Sequence, residues 1–243
     1  MRLLWEELQR AIPLITHGNP YLVSVIWFTI QVAIISTATA TVIGLPIGLA
    51  IGLGRFRGRS AVQTLANASL ALPPVVVGLF LFLLFVPEGP LGSLRLNITK
   101  TAVFVAQTVL ALPYVIALSA AAFQGVPGGL IAQARLLGAG RLQLARLALR
   151  EARIGVVAAL IAALGTGLAE VGAIVIVGGN VYGYDQTLAS AALYEANAAH
   201  YDDAVAIAIV LAGLIFVLMG TASLLQHQEG GIRMRFRSAT GVA

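Results

Sequence analysis

The chain has 243 residues, of which 59% are hydrophobic and only 10% are charged, and its mean hydropathy is +0.93. A soluble domain carries about 25% charged residues, so this composition excludes an ordinary water-soluble protein and indicates several membrane spans. The net charge of +5 does not indicate nucleic-acid binding, because the basic residues lie in short stretches between apolar runs. The chain has no cysteine, which excludes disulfides and thiolate metal sites.

The segment Met1–Ile15 precedes the first apolar run. Its apolar residues have helical spacing, so it is either a short helix at the membrane surface or a loosely ordered leader. The apolar run that follows is too long for a cleavable signal peptide, whose apolar region has about 7–15 residues.

Five apolar runs are long enough to cross a bilayer as helices, which takes about 20 residues. They are Tyr21–Leu53, Ala61–Val86, Thr101–Phe123, Ile154–Val177 and Ala204–Leu225. The sequence therefore predicts an all-α integral membrane protein with about five transmembrane helices, forming a single transmembrane domain over residues 1–243. Glycines recur every four residues in the first run, at Gly44, Gly48 and Gly52, which favours close helix packing.

The loop charges predict the orientation of the chain. The segments after the first span, between the third and fourth spans, and after the fifth span together hold eleven arginines. The opposite side holds four basic residues, namely Arg2, Arg10, Arg95 and Lys100. Positive residues favour the cytoplasmic side, so we expect an inner-membrane, multi-pass protein with its N-terminus outside and its C-terminus in the cytoplasm.

The loop of residues 127–153, between the third and fourth spans, is the most basic segment. Its apolar residues recur at helical spacing, and Gly138 and Gly140 predict a bend between two short amphipathic helices. The alternative is a loop that only determines membrane topology and has no binding partner.

This loop resembles the cytoplasmic loop of ABC importer permease subunits, which has the form E-A-A-x-x-x-G. In that family the helix before the glycine inserts into a groove of the ATPase subunit. The family's glutamate is replaced by Ala132, and its I-x-L-P ending is replaced by residues 147–153. The resemblance implies that the residues coupled to the ATPase are Ala132, Gln133, Ala134, Arg135, Leu137, Gly138, Ala139 and Arg141.

Two further stretches are similar to molybdate- and tungstate-type permeases. They are residues 72–78 (LPPVVVG) and residues 169–180, which contain E-V-G-A followed by V-G-G-N. The latter favours the tungstate branch. The resemblance implies an oxyanion importer that works by alternating access, with a second copy of the chain, cytoplasmic ATP-binding subunits and an extracytoplasmic substrate-binding protein as partners, besides membrane lipid. ATP and Mg would be bound by the ATPase subunit, and no cofactor is expected in this chain.

Glu170 is the one residue of a charged type within a predicted span, and such acids by default mark function. A carboxylate would repel an anion, so a structural or gating role is favoured over substrate binding. Gly178 and Gly179 follow. Their backbone either presents N–H groups to an anion or forms an ordinary turn. The candidate residues of the translocation path or gate are Glu170, Gly172, Gly178, Gly179 and Asn180.

Three alternatives remain open. The first is a permease for molybdate, sulfate or another small solute. The second is an intramembrane enzyme that uses Glu170 with His200, although the three histidines form no metal-ligand spacing pattern. The third is a membrane scaffold. No Gly-rich loop ends in Lys followed by Ser or Thr, so the chain is expected to be a transport subunit that does not itself hydrolyse ATP.

Overall fold

The structure is a computed structural model that describes residues 13 and 19–239, with side chains described as far as Leu224. These residues form helices and short turns, and none of them forms a strand. The α-helices, in chain order, are α1 (Pro20–Leu53), α2 (Arg59–Ser69), α3 (Pro74–Phe85), α4 (Lys100–Gln124), α5 (Gly128–Leu136), α6 (Arg141–Ala169), α7 (Gly172–Gly178), α8 (Leu188–Asn197) and α9 (Tyr201–Ala239). Apart from Pro13, the predicted surface helix or leader over Met1–Ile15 lies outside the described residues.

Four of these helices are long and apolar enough to cross a bilayer: α1, α4, α6 and the Tyr201–Leu224 part of α9. The pair α2 and α3 passes the same test only when the two helices are taken together, which gives up to five spans in the described residues. The prediction of an all-α membrane protein with about five transmembrane helices is therefore confirmed.

The second predicted span, Ala61–Val86, is not one continuous helix. α2 ends at Ser69, and α3 begins at Pro74. Pro73 has an extended backbone (φ −61°, ψ 125°) and lacks the N–H that would continue a helical ladder, whereas a proline at the first position of a helix is favourable. The Pro73–Pro74 pair thus divides this predicted span in two.

The fourth predicted span, Ile154–Val177, differs at both ends. α6 begins at Arg141, inside the predicted loop, and runs without interruption for 29 residues to Ala169. The expected second short helix after Gly140 is therefore wrong: this segment is the first part of the long helix, because no proline interrupts it. Near its other end the predicted span breaks at Glu170 and Val171, before α7.

The described residues form two compact units, which we describe separately. The first unit comprises the chain up to residue 39, residues 72–111 and residues 164–217. The second comprises residues 40–71, residues 112–163 and the chain from residue 218. That the chain is a single transmembrane domain stays a prediction.

In the second unit, glycines let two helices approach closely. A Cβ at Gly48 would collide with the Oγ of Ser119, and a Cβ at Gly52 would collide with the Cβ of Phe123. The four-residue glycine spacing therefore packs α1 against α4, as its pattern predicts. The second unit also contains an apolar core made of Phe123, Val126, Ile131, Ala148, Ala152 and Val156.

In the first unit, α3 packs against α7 just as closely. A Cβ at Gly78 would lie 2.7 Å from the Cα of Ala173, and a Cβ at Gly172 would collide with Val75. Two apolar clusters join α4 to α7: one contains Val103 and Ile174, and the other contains Ala106 and Val177. The short helix α7, which follows the break at Glu170, is therefore firmly held.

Candidate functional site

The basic loop (residues 127–153) begins with α5, which packs on the second unit through one face. Ile131 is buried in the core with Phe123 and Ala148. The residues that follow point outward: Ala132, Gln133 and Arg135 are exposed and Ala134 is half-buried. Most of the residues that sequence analysis assigned to ATPase coupling are thus accessible.

Three exposed leucines (Leu136, Leu137 and Leu142) lie at the end of α5 and the start of α6. Leu136 and Leu137 are each 88% exposed, and Leu142 is 64% exposed. Exposed Arg135 and Arg141 flank them. Apolar side chains gathered on a charged surface mark a contact with another molecule. Sequence analysis assigned Leu137 to ATPase coupling, whereas it counted Leu136 and Leu142 only as part of the helical pattern of this loop.

The turn between α5 and α6 is a glycine-dependent helix ending. Gly138 has φ +84°, and its N–H donates to the carbonyl of Arg135 at 3.0 Å. The N–H of Ala139 donates to the carbonyl of Ala134 at 3.0 Å, which completes the usual pairing of a left-handed helix terminus. The side chain of Gln143 then accepts from the N–H of Gly140 at 2.7 Å. The predicted bend at Gly138 and Gly140 is present, and it fixes the direction of the exposed leucines.

Glu170 lies in the break between α6 and α7, and not inside a continuous helix as the sequence suggested. It is half-buried, and its Oε1 accepts from the N–H of Ala173 at 3.2 Å. This hydrogen bond satisfies one of the free donors at the start of α7. The arrangement fits the structural role that the sequence favoured, while a part in gating stays a prediction.

Gly172, Gly178 and Gly179 each lie where a side chain would collide with a neighbour. Gly172 faces Val75, and a Cβ at Gly178 would lie 2.5 Å from Oδ2 of Asp185. Gly179 has φ +89°, and its N–H donates to the carbonyl of Val175 at 3.1 Å. Since that N–H is already bonded, this position favours the ordinary turn over the anion-binding alternative.

Asn180 continues the turn with φ +53°. Its Nδ2 donates to the carbonyl of Ser190 at 3.3 Å, while its Oδ1 is buried without a hydrogen-bond partner among the described residues. Gly178, Gly179 and Asn180 therefore form the end of α7 and its tie to α8, whereas Glu170 and Gly172 lie at the start of α7. Their part in translocation stays a prediction.

Asp185 is a buried acid in the turn between α7 and α8. It is fully buried, and its Oδ1 accepts from the N–H of Val181 at 2.6 Å. Burial raises the pKa of Asp185, opposed by the backbone hydrogen bond from Val181 and by the charge of Lys100. Its Oδ2, behind Gly178, has no hydrogen-bond partner among the described residues.

The residues around Asp185 tie this turn to α1. Oε1 of Gln186 accepts from the hydroxyl of Tyr21 at 2.7 Å, and the N–H of Leu188 donates to Oγ1 of Thr29 at 2.8 Å. The ring of Tyr21 also stacks on Tyr182, with centroids 4.3 Å apart. These contacts connect residues more than 150 positions apart, which no local pattern reveals.

The carboxylates of Glu195 and Asp203 lie beside His200, and their ligand atoms all lie within 4.8 Å of one another. Nδ1 of His200 is 2.9 Å from Oε2 of Glu195, and this hydrogen bond raises the pKa of His200. Sequence analysis found no metal-ligand pattern around the histidines; this group is nevertheless the one in the described residues that could hold a metal ion. The proposed enzyme residues have different partners: Glu170 accepts from the N–H of Ala173, and His200 is paired with Glu195.

Known proteins match this chain over most of its length. Residues 44–228 match the family described as "Binding-protein-dependent transport system inner membrane component". The chain is 37% identical over 200 residues to a protein of Haloferax volcanii named "Probable anion ABC transporter permease protein", covering 80% of this chain and 86% of that protein. It is 26% identical over 228 residues to "Tungstate uptake system permease protein TupB" of Peptoclostridium acidaminophilum, covering 94% and 100%. Proteins named as molybdenum and sulfate transport permeases match as well.

A solved structure shares the fold. The crystal structure of a bacterial ABC transporter involved in the import of the acidic polysaccharide alginate matches with a TM-score of 0.72 at 18% identity. The match covers 87% of this chain and 81% of that one.

Proposed function

Because the chain belongs to the family of inner membrane components of binding-protein-dependent transport systems, it is a transport subunit and not an enzyme, and we propose that it passes a tetrahedral oxyanion, with tungstate the favoured substrate. The choice of tungstate rests on the similarity, over 94% of the chain, to a permease named for tungstate uptake. The similarity to a permease named for an anion supports the wider class.

The chemistry of the spans is compatible with an oxyanion. Tungstate is a dianion with four acceptor oxygens, and a conduction path must bind its ion weakly enough to release it. The predicted spans contain no Lys or Arg that would hold a dianion tightly. Selection of the substrate is then left to the extracytoplasmic binding protein, which would deliver it to this subunit for alternating access to the cytoplasm.

Uptake by cells tests the substrate. In the host strain with this gene deleted, accumulation of labelled tungstate should fall to background and return with a plasmid copy. Unlabelled tungstate should compete better than molybdate or sulfate. If sulfate or molybdate competes better, the substrate is that anion and the tungstate proposal is wrong.

For the basic loop we propose that α5 and the exposed leucines dock on a cytoplasmic ATP-binding subunit, which binds ATP and Mg. The support is the accessibility of Ala132–Arg135 and the exposure of Leu136 and Leu137. The chain has no native cysteine, so Leu137→Cys provides a single attachment point for a cross-linker. A cross-link to the ATPase subunit is expected for this variant, and Leu94→Cys, also exposed, should give none.

The chain is a multi-pass membrane protein, and we propose that its N-terminus is outside and its C-terminus is in the cytoplasm. The arginine asymmetry of the loops supports this orientation. A membrane-impermeant maleimide applied to whole cells should label Tyr182→Cys and should not label Leu137→Cys. Labelling in the reverse order would contradict the orientation.

A second copy of the chain is proposed to complete the path. About five spans are too few to enclose a route for a hydrated anion, so two subunits would share it. The mass of the detergent-solubilised permease in complex with its ATPase, measured by light scattering, should correspond to two permease chains.

A further inference from the structure

Residues 154–232 contain no Lys or Arg, but they hold several carboxylates. Three of these, Glu195, Asp202 and Asp203, lie around the turn from α8 to α9. Glu195 is buried, with its side chain only 5% exposed. A buried carboxylate is costly unless it is paired, and its recorded ion-pair partner is the imidazole of His200. The local charge balance at this turn therefore favours an additional cation.

The backbone brings the three ligand-bearing residues together. α8 ends at Asn197, and Ala199 then adopts φ +62°, so that the N–H of His200 donates to the carbonyl of Glu195 at 3.0 Å. The carbonyl of His200 accepts from the N–H of Ala204 at 3.0 Å in the first turn of α9. His200 is thereby held over Glu195, and Asp203 follows on the adjacent turn.

We propose that Glu195, His200 and Asp203 form a binding site for a divalent first-row transition metal of the zinc class. One imidazole nitrogen and two carboxylate oxygens are ligands that Zn²⁺ accepts, with the remaining position left to water. The three ligand atoms lie within 4.8 Å of one another, and a tetrahedral zinc needs separations of about 3.4 Å. The ion replaces the proton shared between His200 and Glu195.

Small side-chain movements complete the site. The distance of 2.9 Å between Nδ1 of His200 and Oε2 of Glu195 has to open by about 0.5 Å. The side chain of His200 is 62% exposed and Asp203 is half-buried, so both can rotate toward the ion from the solvent side. Glu195, which is buried, supplies the fixed ligand. The bound ion would fasten the end of α8 to the start of α9.

The test uses the full-length permease, purified in detergent with an affinity tag free of histidine and stripped of metal. Co²⁺ is titrated as a spectroscopic probe, followed by Zn²⁺ in competition. The wild-type protein should show the visible absorption of a low-symmetry Co²⁺ site, which Zn²⁺ abolishes. His200→Gln and Asp203→Asn should each lower the affinity at least about tenfold, because each removes one of three ligands.

Asp202→Asn is the matched control. Asp202 neighbours Asp203 and carries the same charge, but it is not one of the three ligands. Its substitution should leave the absorption spectrum unchanged and lower the affinity far less than Asp203→Asn does. Equal losses in the two variants would mean a diffuse attraction of cations and would overturn the site. Absence of Co²⁺ absorption in the wild-type protein would overturn it too. Melting curves of the metal-free variants check that each remains folded.

Discussion

The basic loop exposes apolar side chains, whereas the acidic segment (residues 178–203) buries polar side chains. The basic loop leaves apolar residues in solvent, with Leu136 and Leu137 almost fully exposed. The acidic segment instead buries polar residues, among them Asp185, Gln186 and Glu195. Both segments connect helices, yet only the acidic segment finds partners for many of these side chains within the chain.

The difference indicates what completes each segment. Exposed leucines contribute hydrophobic stabilisation only when another molecule covers them. The basic loop therefore needs a partner to bury its apolar side chains. The acidic segment is tied to α1 through Tyr21 and Thr29, and it is largely complete by itself. Changes in the basic loop should therefore affect assembly and coupling, whereas changes in the acidic segment should affect folding stability.

The largest expected effect follows from removing the exposed apolar surface. The double variant Leu136→Ala/Leu137→Ala should weaken binding of the ATPase subunit by at least about a hundredfold, because burying each leucine contributes about 1.5–3 kcal/mol and every 1.4 kcal/mol is tenfold. Leu94→Ala removes an exposed leucine elsewhere and should have no effect. Binding is measured on purified subunits. An unchanged affinity in the double variant would remove the distinction between the two segments.

The next effect concerns the direction of these leucines. Gly138→Leu places a side chain at φ +84°, which costs about 1–2 kcal/mol. It should turn the end of α5 away from its docking position and lower ATP-dependent uptake by about fivefold to thirtyfold. There is open space around Gly138, so the protein should still reach the membrane.

Gly129→Ala is the control for Gly138→Leu. This position also has open space around it, and it lies within α5. Uptake should be normal in this variant. Normal uptake with Gly138→Leu as well would show that the bend does not position the docking surface.

In the acidic segment, Gly178→Ala should lower stability by about 1–3 kcal/mol through overpacking. Its Cβ would lie 2.5 Å from Oδ2 of Asp185 and 2.7 Å from Val103. Gly167→Ala is the matched control, since its Cβ would meet Gln107 at an ordinary 3.5 Å. Thermal unfolding in detergent measures both. Equal melting temperatures would argue against tight packing around Asp185.

Glu170 allows a smaller and more selective test. Glu170→Gln keeps an oxygen that can accept from the N–H of Ala173, so assembly and transport should remain largely intact. Glu170→Ala removes the acceptor and should cost about 1 kcal/mol, with damage to assembly or gating. Uptake and assembly are compared for the two variants. If the Glu170→Gln variant assembles fully but its uptake falls to background, then transport requires the ionised carboxylate and this prediction is wrong.

The smallest effect is a pH dependence. Burial raises the pKa of Asp185 in the folded protein, so the protonated form stabilises the fold. This stability is fully present below the unfolded value of about 3.9 and is lost as the pH rises through the raised folded value. Asp185→Asn cannot titrate, so the melting temperature of the wild type relative to this variant should increase as the pH falls through that window. A constant difference would mean that Asp185 has no raised pKa.

Local chemistry predicted much of this molecule. Long apolar runs predicted the helical membrane fold, and Gly138 predicted the ending of α5, because glycine readily adopts a positive φ. The four-residue glycine pattern predicted close packing of α1, although it did not identify α4 as the partner helix. The loop resemblance pointed to residues that are mostly exposed, although it did not predict the continuation of α6 from Arg141 into the span.

What could not be predicted depends on contacts between distant segments. Neither Glu170 nor Val171 is a helix breaker; at the break, the N–H of Ala173 donates to Glu170, and α7 packs closely on α3. Burial of Asp185 depends on α1 and α4. The group of Glu195 and His200 depends on one left-handed residue, Ala199, which a sequence pattern would not place there.

Reconstituted transport tests the account most directly. Proteoliposomes would contain the permease and its ATPase, with the binding protein and tungstate on the extracytoplasmic side and ATP on the other. Tungstate should accumulate in the ATP-containing compartment against its gradient only when ATP, the ATPase and the binding protein are all present. Accumulation without the ATPase, or none of any oxyanion by a complex that hydrolyses ATP, would contradict the assignment of this chain as the permease of an ATP-driven oxyanion importer.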